Sequence, residues 1–169
     1  MPERRRRPKS KIDVDLVIEG GDWPDPDELE TLIQVAAAEV AAERRFELGK
    51  ASVAIALAND DQVAILNGQF RAKSKPTNVL SFPRGPGAPE GFLGDIVLAF
   101  ETVAREADEQ DVSLEQHVQH LIVHGLLHLL GLDHEIAGDA ELMESLEIQI
   151  LARLGIANPY TGTLDHDKR

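Results

Sequence analysis

The 169-residue sequence contains no cysteine. That excludes disulfides, thiolate metal sites and a cysteine nucleophile, and it suits a reducing cytosol. No apolar run reaches the roughly 18 residues that a membrane span needs, so no membrane partner is expected. The basic start Arg4-Arg5-Arg6-Arg7 is followed by Pro8, Lys9, Ser10 and Lys11 rather than by an apolar segment. It therefore lacks the middle region of a secretory signal, and a cytoplasmic location is expected. Internal repeats and low-complexity blocks are also missing. What is present is ordinary for one globular domain: 43% of the residues are apolar. A chain of this length buries roughly 70% of its unfolded surface and needs no staples.

Charge is unevenly spread. Residues 1–85 hold 13 basic and 14 acidic groups, a net of −1, whereas residues 86–169 hold 4 and 16, a net of −12. The whole chain, at −13, is a poor general coat for nucleic acid. Residues 71–89 nevertheless contain Arg71, Lys73, Lys75 and Arg84 and no acid. Screening limits exposed charges to about 8–10 Å, so this stretch is locally positive on an acidic protein. The acidic second half is expected to be mostly a solvated surface.

The hydrophobic pattern predicts the element order βαβαββααα. Ile12, Val14, Leu16 and Ile18 fall at alternate positions, with Asp13 and Asp15 between them, as in a half-buried strand. Leu29, Leu32, Ile33, Ala36 and Val40 fall at helical spacing, predicting a helix from about Asp25 to Phe46 that Gly49 stops. Residues 51–58 carry no charge on either face and read as a central strand covered on both sides. Asn59 caps a helix to about Phe70. Strands follow at 77–82 and 93–100, then helices at 101–110, from Ser113 toward Leu130, and from Asp139 to Leu154. Ser113-Leu114-Glu115-Gln116 fits a capping box, and Gly131 and Gly155 sit where helices end. The expected fold is α+β: a single domain with a mixed four-stranded sheet packed by about five helices, one of them a zincin-like metal helix. The domain spans 12–160, between a mobile basic tail (1–11) and a C-terminal tail (161–169).

Five of the six histidines fall between 117 and 134: His117, His120, His124, His128 and His134. His124 and His128 lie on one helix face, about 6 Å apart along the axis, close enough to share an ion. In a continuing helix His134 would sit about 9 Å further on and roughly 240° round. Gly131 removes that obstacle, because glycine takes the left-handed conformation that turns a chain back. The pattern His124-x-x-x-His128-x-x-Gly131-x-x-His134 then gathers three imidazoles with an open fourth position, as in a catalytic zinc site. Imidazole suits zinc, nickel, copper and iron, and availability favours one Zn2+. His117 is expected on the surface, and His120 is a candidate supporting donor or substrate contact. The pattern is close to the extended zinc-protease motif, but those enzymes carry a Glu after the first His, where this chain has Gly125. Peptide hydrolysis by the usual route thus lacks its proton acceptor.

The stretch His124-Gly125-Leu126-Leu127-His128-Leu129-Leu130-Gly131-Leu132-Asp133-His134 closely resembles the bacterial YbeY family, single-strand-specific endoribonucleases that act as rRNA maturation factors. Two further stretches match in order and separation: Arg71-Ala72-Lys73-Ser74-Lys75-Pro76-Thr77-Asn78-Val79-Leu80-Ser81-Phe82-Pro83 and Leu93-Gly94-Asp95-Ile96. The closing Asn158-Pro159-Tyr160 is also similar, and the resemblance covers about residues 12–160. Leu132 departs from the family's frequent Tyr without touching a ligand. The resemblance implies a zinc ion held by His124, His128 and His134, a functional Arg71, and single-stranded RNA in a cleft beside the metal. It also implies small-subunit (16S) rRNA as substrate, in 3′-end maturation and ribosome quality control, with the ribosome or small-subunit proteins as partners.

The residue chemistry is compatible with that implication. A guanidinium at Arg71 grips a phosphodiester with two parallel hydrogen bonds and stabilises extra charge on phosphorus. Lys73, Lys75 and Arg84 are candidates to steer the RNA backbone as point charges. Asp95 opens a strand expected to be buried, where a carboxylate is costly unless paired, and it is a candidate to orient Arg71 or an imidazole. The nucleophile is water or the ribose 2′-hydroxyl, and Asp95 and His120 are candidate bases. The competing reading is a non-catalytic ribosome assembly factor with a structural zinc site.

Overall fold

The computed structural model describes residues 10–71, 77–132 and 137–160, and only the backbone of residues 70, 71 and 137. The chain runs β1 (Lys11–Ile18), α1 (Pro26–Ala41), β2 (Lys50–Ala58), α2 (Asp60–Arg71), β3 (Val79–Pro83), β4 (Phe92–Ala99), α3 (Phe100–Gln110), α4 (Leu114–Leu129) and α5 (Ala137–Arg153). This is the expected order. The strands form one mixed sheet in the order β1-β2-β4-β3, with β1, β2 and β4 parallel and β3 antiparallel to β4.

Alternation along the strands sorts the sheet into two faces. Val53, Ile55 and Leu57 of β2 and Ile96 and Leu98 of β4 join the main core with Leu29, Ile33 and Val40 of α1 and Ile122 and Leu126 of α4. Val97 and Ala99 point the other way, into a smaller cluster with Val63 of α2 and Leu80 of β3. β2 is central as expected, but its alanine face is only partly covered: Ala54 and Ala56 remain half-buried because α2 is short and lies toward β3 and β4.

The helix termini follow their capping chemistry. Asn59 and Gln62 cap α2 reciprocally, Gln62 N donating to Asn59 Oδ1 at 2.8 Å and Asn59 N to Gln62 Oε1 at 3.0 Å. Ser113 Oγ accepts from Gln116 N at the start of α4. α1 ends at Ala41, short of the expected Phe46. Its last turn is held by Arg153, which donates to the Glu39 carbonyl and carboxylate and to Glu43. Gly49 accordingly does not stop a helix; it turns the chain into β2 at φ +59°. The basic tail is shorter than expected at its inner end, because Lys11 already pairs in β1. Residues 1–9 and 161–169 lie outside the described residues.

Candidate metal centre and catalytic site

α4 lies against β3, β4, α1, α3 and α5, so nearly every face of it is spoken for. The face toward the sheet is made by Gly125. A Cβ built there would stand 3.0 Å from Ile96 Cδ1 and 3.1 Å from Ser81 Oγ. Glycine thus lets the helix backbone approach the sheet, and the position that holds the general base in zinc proteases is here a buried contact with β3 and β4.

The C-terminal turn of α4 is a Schellman motif. Gly131 N donates to His128 O at 3.1 Å and Leu132 N to Leu127 O at 3.2 Å, with Gly131 at φ +106°. The left-handed glycine turn read from the sequence is therefore present, while residues 133–136, His134 among them, lie outside the described residues. Both imidazoles are partly exposed. The negative end of the helix dipole there favours a cation.

Behind His124 sits a carboxylate that the pattern reading missed. Glu147 of α5 is buried, its side chain 2% exposed. Its Oε2 lies 3.0 Å from His124 Nδ1, and its Oε1 lies 3.0 Å from His120 Nε2 and 2.6 Å from Tyr160 Oη, which donates to it. Burial alone would raise its pKa, but the hydrogen bonds from His120 and His124 outweigh that and hold it at about 2. Burial beside this carboxylate pushes the Tyr160 hydroxyl well above its ordinary value. One signal could have exposed Glu147: it occupies an apolar stripe, four residues after Met143 and three before Ile150, both fully buried.

His117 corrects an expectation. It is buried rather than on the surface, and its Nε2 lies 2.8 Å from Glu106 Oε1 of α3. Asn78 Nδ2 donates to the same oxygen at 3.0 Å. Desolvation would raise the Glu106 pKa, yet these bonds and the nearby charges of His117 and Arg105 leave it lowered. His120, offered as a free base, is instead engaged with Glu147 and packed edge-on to His117 and Tyr160.

Asp95 also differs. It is exposed, not buried. Its cross-strand partner is Phe82, on the α2 side, whereas Ser81 and Ile96 face Gly125 of α4. Asp95 thus lies on the opposite sheet face from α4 and does not orient its imidazoles; partial burial raises its pKa. Arg84 is exposed in the loop after β3. Arg71 closes α2, which packs on the same face as Asp95, and its side chain lies outside the described residues. So do Lys73, Lys75, Asp133 and His134. Among the described residues, no three His, Cys, Asp or Glu side chains gather into a metal-binding group.

The donor chemistry nevertheless suits a metal. An ionised Glu147 accepts only, so its contact with His124 Nδ1 matches the geometry of a carboxylate–histidine–zinc arrangement, in which Nε2 is the ligating nitrogen. His128 follows one turn later, and His134 comes after the Schellman reversal.

Fold and site together define a small α+β domain with one histidine-rich helix backed by a buried acid. A family model described as Endoribonuclease YbeY matches residues 21–155. Proteins named Endoribonuclease YbeY are similar along most of their lengths: one from Chelativorans sp. is 47% identical over 87% of this chain and 92% of its own, and one from Allorhizobium ampelinum is 45% identical over 90% and 96%. The solution structure of TM1509 from Thermotoga maritima superposes with a TM-score of 0.53 at 26% identity, covering 85% of this chain and 91% of that one. The chain belongs to the YbeY endoribonuclease family, as its motifs imply.

Proposed function

We propose that the protein is a zinc-dependent endoribonuclease that cleaves single-stranded RNA, with small-subunit rRNA near its 3′ end as the substrate and the ribosome or its small-subunit proteins as the setting. The observation that carries this reading is the family match over residues 21–155. It is supported by a helix that presents His124 and His128 at its C-terminal end with a carboxylate fixing the first ring. In this reading His124, His128 and His134 hold one ion. When bound, zinc supplies a Lewis acid for a phosphoryl oxygen and makes water more acidic. Arg71 grips the scissile phosphodiester through two parallel hydrogen bonds and balances the charge that develops on phosphorus. Lys73, Lys75 and Arg84 attract the flanking phosphates, so affinity is expected to fall with added salt. No helix among the described residues is long and apolar enough to cross a membrane, and a cytoplasmic location fits an rRNA substrate.

The test incubates purified protein with a labelled single-stranded RNA, beside Arg71→Ala and chelator-treated samples. Cleavage is expected in the wild type alone, with a fall of about a hundredfold or more in Arg71→Ala at unchanged zinc content, the range seen when one charge-stabilising donor is lost. Equal cleavage by wild type and Arg71→Ala would remove Arg71 from the mechanism. Zinc-loaded wild type that binds but never cuts RNA would favour a non-catalytic assembly factor. The product ends separate the nucleophiles: a 2′,3′-cyclic phosphate marks attack by the ribose hydroxyl.

A further inference from the structure

Glu147 is an expensive residue to keep inside a fold. It lies among Met143, Leu146, Ile150 and Leu151, all buried, and a carboxylate there costs several kcal/mol unless its oxygens are fully paired. An apolar residue would join α5 to α4 at less cost. What the carboxylate does, and an apolar residue does not, is accept. Three groups converge on it: His120 Nε2 and His124 Nδ1 from α4, and the Tyr160 hydroxyl from the segment after α5. An acceptor-only group in the middle dictates where each of those protons resides.

We propose that Glu147 is the positioning residue of the metal centre, holding His124 as its Nδ1–H tautomer so that Nε2 faces the ion, with Tyr160 and His120 bracing the carboxylate. This rests on the reading of His124 as a ligand. The assignment reaches beyond the histidine motif, because it gives α5 and the segment that ends in Tyr160 a part in the site. Tyr160 ties the chain after α5 to Oε1, the oxygen that does not meet His124, leaving Glu147 little freedom to swing away from the ring. Glu147→Gln is a sharp probe. A glutamine amide has one accepting end and one donating end. With its donating end toward His124, it selects the other tautomer and takes the lone pair from Nε2. With its accepting end there, it leaves His120 and Tyr160 facing a donor.

Two measurements test the inference, neither of which reads activity. In metal-free wild type, imidazole 15N spectra recorded about 1.5 units above the ordinary histidine pKa of about 6.5 are expected to show His124 protonated on Nδ1. Loss of the signal in His124→Gln gives the assignment. Competition titration with a zinc chelator is then expected to show affinity lower by about 10–100-fold in Glu147→Gln, and by a smaller factor in Tyr160→Phe. His124 protonated on Nε2, or unchanged affinity in folded Glu147→Gln with wild type still binding one zinc, would overturn the role of Glu147 while sparing the metal reading. Wild type that takes up no zinc would overturn both. Should Glu147→Gln not fold, the wild-type tautomer and the Tyr160→Phe affinity decide.

Discussion

Gly125 shows how one side chain separates two chemistries. The zinc-protease motif places a carboxylate directly after its first histidine; in this fold that position is pressed against Ile96 and Ser81. Installing the missing base by Gly125→Glu is therefore expected to create no protease. It forces a carboxylate into the α4–sheet contact and should cost roughly 3–5 kcal/mol in urea unfolding, or prevent folding. A Gly125→Glu protein as stable as wild type would contradict the packing account. At this scale the sequence was legible where residue type alone fixes the backbone: a glycine at the turn that ends α4, and a glycine where a protease has its acid. It was not legible where a residue's partner lies on another element. Glu106 and Glu147 look like members of an acidic surface in the sequence, and burial against His117, His120 and His124 is a tertiary fact. Asp95 failed in the opposite direction, since strand alternation put it on the open face.

At the scale of elements, the C-terminal turn of α4 follows directly on His124 and His128. Its Schellman bonds need a positive φ at Gly131, and among the described residues nothing stands within 4 Å of a Cβ built there, so the demand they impose is conformational. Gly131→Ala is expected to cost about 1–2 kcal/mol in urea unfolding, with Gly131→Asn costing less because Asn tolerates this region better. Equal stability of wild type and Gly131→Ala would mean that the turn is not held as described. The caps of α2 and α4 and the Gly155 terminus of α5 follow short-range rules, which is why those boundaries were readable. The end of α1 was not: residues 42–46 continue a helical pattern, and it is Arg153, more than a hundred positions later, that closes the last turn onto Glu39 and Glu43.

Across the whole molecule, the sheet divides labour between its faces. One face packs the histidine helix, and the other packs α2, from whose end Arg71 and the basic stretch continue. The mixed sheet was foreseeable from the element order; its strand order and the facing of Asp95 depend on long-range pairing. The pH response of the fold also belongs to this scale. Glu106 ties α3 to α4 and to Asn78 at the mouth of β3, and its pKa is lowered in the fold from an ordinary value of 4.5. Its contribution is therefore complete above about that pH and is lost as pH falls through the lower folded value, where the unfolded chain binds the extra proton first. The stability difference between wild type and Glu106→Gln should shrink as pH drops below the mid-fours; a difference independent of pH would show that the carboxylate contributes no charge-dependent stability.

In the proposed function, one helix, one glycine turn and one buried acid hold a three-imidazole zinc site with a remaining open position. X-ray absorption on protein loaded with one equivalent of zinc tests it most directly. Three imidazole nitrogens at about 2.0–2.1 Å and one light exchangeable ligand are expected, with the imidazole count falling in His134→Ala. Four protein ligands, or the same spectrum after removal of His134, would contradict it.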